Sequence, residues 1–287
     1  MYCSVYSGCR SFLLIVLGAA WLLFHGATLK AAPGDLTVGV FHQQGPYSHF
    51  DSEGKAHGLL VDTLAPLRSD NQDFRYRHIP HGRIAHELAK GGVDFALFLV
   101  MAGEMVQPEI ESIVITQQPL FTVPLYLYSD QNLPKRAQLP EHFSAIADLD
   151  GLKVGLYRAN VSKNYIGLSS SANVVFFNRY ESAVKSLMSY RIDLLGIDPL
   201  SAAHWQQRFG MTWKQRYFFG NIDVHLAFSG VAMGARAYEL CESYWQLLKS
   251  YSDRGFFNHL SERPNGTEYL TYFSEFDQKD GPYCHSL

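Results

Sequence analysis

Leu187-Met188-Ser189-Tyr190-Arg191-Ile192-Asp193-Leu194-Leu195-Gly196-Ile197-Asp198-Pro199-Leu200 runs from the end of one amphipathic stretch, through a short apolar run, into the start of another. The run Asp193–Ile197 is too short for a helix, and its apolar character suits a strand covered on both faces. Asp198 followed by Pro199 reads as a cap and a first helical residue, so a helix is predicted over Leu200–Phe209. Upstream, Glu181–Ser189 reads as a helix. The strand between them ends on an acid, and the crevice outside the carboxyl ends of strands is where open α/β sheets bind ligands.

The same rhythm extends outward in both directions. Lys153–Leu156 reads as a strand, Ser162–Leu168 as a helix and Asn173–Phe177 as a strand. Beyond the polar, Pro-containing stretch Ser129–Pro140, Leu36–Phe41, Phe74–Ile79 and Asp94–Leu99 read as strands, with helices at Gly58–Leu67 and Arg83–Lys90. A weak internal repeat links the two series: Leu88 and Asp94, like Leu187 and Asp193, stand six residues apart before an apolar strand. The fold class predicted is α/β, with two similarly wound lobes. Two extended runs, Ile113–Tyr128 and Ile222–Gly230, are predicted as crossovers between the lobes. Residues near Leu125–Asp130 and Gly220–Asp223 would then absorb the dihedral change of closure. A helix over Ala235–Tyr251 is expected to pack back on the first lobe.

The chain's 287 residues, 47% hydrophobic and 18% charged, exclude a disordered polymer. With 24 Lys+Arg against 27 Asp+Glu and no basic block, the electrostatic source of nucleic-acid binding is missing. At the amino end, Arg10 precedes an unbroken apolar run, Phe12–Phe24, followed by Gly26, Ala27, Ala31 and Ala32. That pattern is a secretory signal peptide, short of the roughly 20 apolar residues a membrane span needs. Cleavage near Ala31 or Ala32 removes Arg10 and Lys30 and no acid, taking the formal charge from −3 to −5. Cys3 and Cys9 leave with it. Cys241 and Cys284 remain in an oxidising compartment, where a disulfide is expected, although Cys241 also fits a buried helix face with Tyr238, Trp245 and Leu248. The division read from the chain is a signal peptide over 1–31, lobe 1 over 32–127, lobe 2 over 128–221, and a return to lobe 1 with the C-terminal helices over 222–287.

Several landmarks in this order resemble a known family. Leu36-Thr37-Val38-Gly39-Val40, Gly45-Pro46-Tyr47, Gly58-Leu59-Leu60-Val61-Asp62, Gly92-Val93-Asp94, Asp148-Leu149-Asp150-Gly151-Leu152-Lys153-Val154-Gly155 and Tyr190–Asp198 together are similar to the family 3 extracellular solute-binding proteins. These have the type II periplasmic binding fold and serve amino-acid ABC transporters. The resemblance implies a periplasmic, monomeric protein that closes on a small molecule and presents it to a transporter permease or a membrane sensor. It also implies that Asp198 meets a ligand ammonium. The family's carboxylate-binding Arg has no counterpart here. Its Thr-x-x-Arg falls on Gly103-Glu104-Met105-Val106, and no Lys or Arg occurs between Lys90 and Lys135. Arg158, beside Ser162 at a predicted helix start, is the candidate substitute cation. Phe41, Tyr47 and Phe98 at strand ends, faced by Tyr157, are expected to form aromatic walls for a flat or apolar ligand.

Enzyme readings are weaker. The twelve histidines lack metal-ligand spacing, and phosphate-cradling glycine motifs are absent, so no metal or cofactor is expected. A dehydratase-like use of a cleft carboxylate, with Glu104 as the candidate acid, is the enzymatic alternative. A sensing receptor of the same fold is the other.

Overall fold

The computed structural model describes residues 35–41, 45–68, 73–101, 112–132, 139–157, 173–262, 269–272 and 283–286. The predicted signal peptide, the helix over Ser162–Leu168, and Glu104, Arg158 and Ser162 lie outside them. No helix among the described residues is long and apolar enough to cross a membrane.

The first half of the fold contains β1 (Leu36–Val40), the hairpin β2 (His49–Phe50) and β3 (Ala56–His57), α1 (Leu59–Leu64), β4 (Phe74–His78), α2 (Ile84–Ala89) and β5 (Phe95–Met101). Next come β6 (Ile113–Thr116) and β7 (Phe121–Asp130). The second half contains β8 (Lys153–Tyr157), β9 (Asn173–Phe177), α3 (Tyr180–Met188), β10 (Leu194–Ile197) and α4 (Pro199–Phe209). The chain returns along β11 (Trp213–Ser229) and finishes in α5 (Gly230–Met233), α6 (Arg236–Asp253) and β12 (Cys284–Ser286).

One sheet carries both halves, in the order β4-β1-β5-β11-β7-β10-β8-β9. β1 pairs parallel with β4 and β5, and β8 pairs parallel with β9 and β10. Between these parallel triplets the antiparallel pair β7 and β11 joins the halves. The order second-first-third is thus the same on each side, and this is the two-lobed architecture expected.

The internal repeat now has a physical meaning. Asp94 accepts the Thr37 N–H through Oδ2 at 2.7 Å and donates its own N–H to the Thr37 carbonyl at 2.9 Å. Asp193 does the same to Lys153, at 2.7 and 2.8 Å. Each aspartate ties the start of its triplet's central strand to the start of the strand that follows it. Leu88 and Leu187 are both fully buried.

Among the described residues the buried apolar side chains form three clusters. The largest packs β1, α1, β5 and β6 against α6, which buries Ala237, Cys241, Tyr244, Trp245 and Leu248. The other two lie on opposite faces of the second triplet, as the alternation of Leu194 into one and Leu195 into the other shows. Cys241 and Cys284 form a disulfide with a Cα–Cα distance of 6.2 Å, fastening β12 to α6.

Two expectations need correction. The run Ile113–Tyr128 is not one strand: β6 stops at Thr116, and β7 begins at Phe121. The second run starts earlier than its apolar part suggests. β11 is 17 residues long and includes the segment Trp213–Asn221, in which the buried residues Trp213, Arg216 and Phe219 stand three apart and Lys214, Gln215 and Arg216 hide the strand in the sequence. The β7–β11 ladder shifts register between Gln215 and Tyr217 and again between Phe218 and Gly220. Such bulges bend a strand and let it twist.

Candidate functional site

Asp198 closes the carboxyl end of β10 in extended backbone, φ −74° and ψ 157°, and its Oδ1 accepts the Ser201 N–H at 2.9 Å as the cap of α4. The same Oδ1 accepts the Tyr47 hydroxyl at 2.7 Å. Asp198 is therefore both a cap and a group of the interlobe cleft. The two residues are 151 apart in sequence. Asp198 is only 3% exposed and Tyr47 only 4%.

Local structure holds Tyr47 in place. Its carbonyl accepts the Leu60 N–H at 3.0 Å, while the Pro46 carbonyl accepts the Leu59 N–H at 3.3 Å, so the first turn of α1 is seated on the Pro46-Tyr47 turn. Gly58 makes this approach possible. Its φ is 120°, and a Cβ there would collide with the Tyr47 carbonyl. The Ser48 hydroxyl donates to the Phe41 carbonyl at 2.6 Å and ties the turn to the end of β1.

Burial dominates the electrostatics. It pushes the Asp198 carboxyl above its ordinary value, against the opposing effect of the Ser201 and Tyr47 hydrogen bonds. The Tyr47 phenol is pushed well above its ordinary value, first by burial and then by the neighbouring carboxylate.

Around this pair is a cavity of about 30 Å³, lined also by Phe41, Leu60, Leu99, Phe121, Val123, Tyr180, Ile222 and Val224. That is room for one or two water molecules. Apart from Asp198 the described lining carries no charge. Phe121, Val123, Ile222 and Val224 come from the crossover strands, which form the floor.

Of the residues singled out from sequence, Phe41, Tyr47 and Asp198 meet at this cavity. Phe98 does not line it. Successive residues of a strand face opposite ways, and its neighbour Leu99 takes the cavity side. Tyr157 stands behind the wall, stacked on Tyr180 with ring centroids 4.4 Å apart. Burial pushes the Tyr157 phenol up to about 12. Tyr180, Leu60 and the four crossover residues escape a reading based on strand ends, because each looks like ordinary core in its own element. The one signal the four crossover residues offered was the β-branched and aromatic character of the crossover runs.

No family model and no curated protein matches the chain. Solved structures do match its fold. A putative L-cystine ABC transporter protein from Listeria monocytogenes is similar at a TM-score of 0.64 and 17% identity, covering 84% of this chain and 99% of that one. A histidine kinase sensor domain with similarity to periplasmic binding proteins gives 0.64 at 16% identity, covering 80% and 95%. An ancestral amino-acid-binding protein, a precursor of cyclohexadienyl dehydratase, gives 0.60 at 17% identity, covering 84% and 96%. The architecture is the two-lobed periplasmic-binding-protein fold.

Proposed function

We propose that this is an exported, periplasmic solute-binding protein, monomeric, that captures a small molecule between its lobes by hinge closure and presents it to an ABC transporter. The lobes are taken as 32–127 with 222–287, and 128–221. The observation that carries the reading is the cavity whose opposite walls come from the two halves and meet at Tyr47 and Asp198. A ligand touching both walls favours the closed arrangement by its differential affinity for it. Phe41, Tyr47 and Asp198 are the contacts proposed in the described part, with Phe98 and Tyr157 behind or beside the wall and Arg158 and Ser162 beyond the described residues.

The ligand class that fits is an amine or amino-acid-like molecule with an apolar or aromatic body. Asp198 is the anchor for its cation, and the apolar lining takes its body. The likeness to binding proteins of amino acids supports this class. A sensing role uses the same closure and is supported by the likeness to a kinase sensor domain.

Mass spectrometry of small molecules that co-purify with the mature protein, followed by calorimetric titration of amino acids, amines and aromatic acids, tests the reading. One of these is expected to bind stoichiometrically, to be recovered unaltered, and to bind at least about tenfold more weakly after Asp198→Ala. Chemical turnover of the bound molecule would favour the dehydratase-like alternative instead. Full affinity in the Asp198→Ala protein would remove Asp198 from the site.

A further inference from the structure

A second, larger hollow lies on the outer side of the Pro46-Tyr47 turn. It encloses about 720 Å³ between the β2–β3 hairpin with α1 on one side and α4 on the other, and shares no lining residue with the Tyr47–Asp198 cavity. Its apolar surface comes from Pro46, Phe50, Leu59 and Trp205. Four basic side chains line it, His49 and His57 from the hairpin and His204 and Arg208 from α4, together with the carboxylates of Asp51 and Asp62. His204 and Arg208 are one helical turn apart and lie on one face. The His204 ring rests against Gly45 across the groove, where an added Cβ would stand 2.8 Å from its Cε1 and Nε2. The Arg208 guanidinium lies over the Trp205 ring, 5.2 Å from its centroid.

The acids near these groups are largely committed elsewhere. Asp51 meets His57 Nε2 at 2.8 Å and accepts the N–H groups of Glu53 and Lys55, each at 2.9 Å. Glu181, on α3, pairs with Lys185 at 2.7 Å. Asp62 stands on the α1 side of the groove. Burial, and then the positive charges of Arg208 and His49, hold the His204 imidazole below its ordinary value. Among the described residues no three of His, Cys, Asp or Glu converge as metal ligands.

We propose that this groove is a second small-molecule site, one that takes an oxyanion, a carboxylate or a phosphate, on Arg208, His204 and His49. The guanidinium supplies two parallel N–H donors that match an oxyanion. The His204 imidazole adds a charged donor when protonated, so anion binding draws a proton in and strengthens as the pH falls. Any flat or apolar body lies against Phe50 and Trp205. Because the hairpin belongs to the first half of the fold and α4 follows β10 in the second, an anion held by both draws the two halves together.

Calorimetric titration of the mature protein with inorganic phosphate and, separately, with benzoate, at about pH 6 and about pH 8, tests this, with Trp205 fluorescence as a second signal. Saturable binding is expected, about tenfold tighter at the lower pH for benzoate, whose charge is constant over this range, and about tenfold weaker for either anion in Arg208→Gln. Arg208→Lys, which keeps the charge and loses the planar fork, should fall between, and His204→Gln should flatten the pH dependence. Phosphate alone binding identifies a free or esterified phosphate as the guest, and benzoate alone an organic acid. The absence of saturable binding by either anion at the lower pH overturns the proposal, as does binding that Arg208→Gln and His204→Gln both leave intact. Binding that falls in Arg208→Gln but survives Asp198→Ala belongs to the groove, whereas binding lost in Asp198→Ala alone belongs to the Tyr47–Asp198 cavity and overturns the proposal, so the two readings fail separately.

Discussion

At the scale of single residues, Asp198 carries the clearest conflict between stability and use. Its folded pKa is raised above the ordinary 3.8, so the native state holds a proton that the unfolded chain gives up. The stability it contributes is fully present below the unfolded value and is lost as the pH rises through the folded one. Asp198→Asn keeps an acceptor for Tyr47 and Ser201 and removes the charge that burial penalises. Thermal unfolding followed by circular dichroism is expected to show a higher melting temperature for the variant at neutral pH, with the gap narrowing toward acid. A lower melting temperature at neutral pH would mean that the ionised carboxylate is the stabilising form. Asp198 was legible in the sequence because an acid between an apolar strand and Pro199 marks both a helix start and the ligand-binding end of a sheet. Tyr180 was not, since a tyrosine opening an amphipathic helix looks the same whether it meets core or cleft. Phe98 misled for a related reason: an apolar strand covered on both faces gives no alternation from which to choose the side that lines the cavity.

Among elements, the paired aspartates and the disulfide make separable claims. Asp94→Ala and Asp193→Ala each strip a partner from one backbone N–H, of Thr37 and Lys153 respectively. Each is expected to cost about 0.5–1.5 kcal/mol, read as a lower urea midpoint at unchanged slope. The two losses should be of similar size because the two aspartates occupy equivalent places in the two triplets. A loss from only one would mean that the resemblance between them is decorative. Reduction of Cys241–Cys284, or Cys284→Ser, releases a loop spanning 43 residues. On the chain-entropy account that costs about 4 kcal/mol, visible as a lower melting temperature under reducing conditions. The strands and helices of both triplets followed from alternating apolar and amphipathic stretches. The length of β11 did not, because Lys214, Gln215 and Arg216 give its first third a polar surface that reads as loop. Arg216 is in fact buried, its Nε donating to the Ser129 hydroxyl at 2.7 Å and its Nη1 to the Pro140 carbonyl at 2.8 Å.

For the molecule as a whole, the sheet is continuous, and β7 and β11 take part in the apolar packing of both halves. Unfolding of one half therefore strips partners from the other. Differential scanning calorimetry is expected to give one cooperative transition, with calorimetric and van't Hoff enthalpies in agreement. Two resolved peaks would mean that the crossover pair transmits little. The division into two similar halves was visible in the sequence, since the rhythm restarts after Ser129–Pro140. How closely the halves approach was not, because it depends on contacts such as Tyr47–Asp198 between residues 151 apart, which no local pattern records.

The floor of the inner cavity adds a mechanical consequence. Phe121, Val123, Ile222 and Val224 belong to the strands that join the halves, and on the proposed reading a guest resting on them lies beside the part that bends. On the proposed reading, a bulkier guest props the jaws wider. The angle reached is then a continuous gauge of molecular girth, open to any neighbour that senses the outline of the shut form.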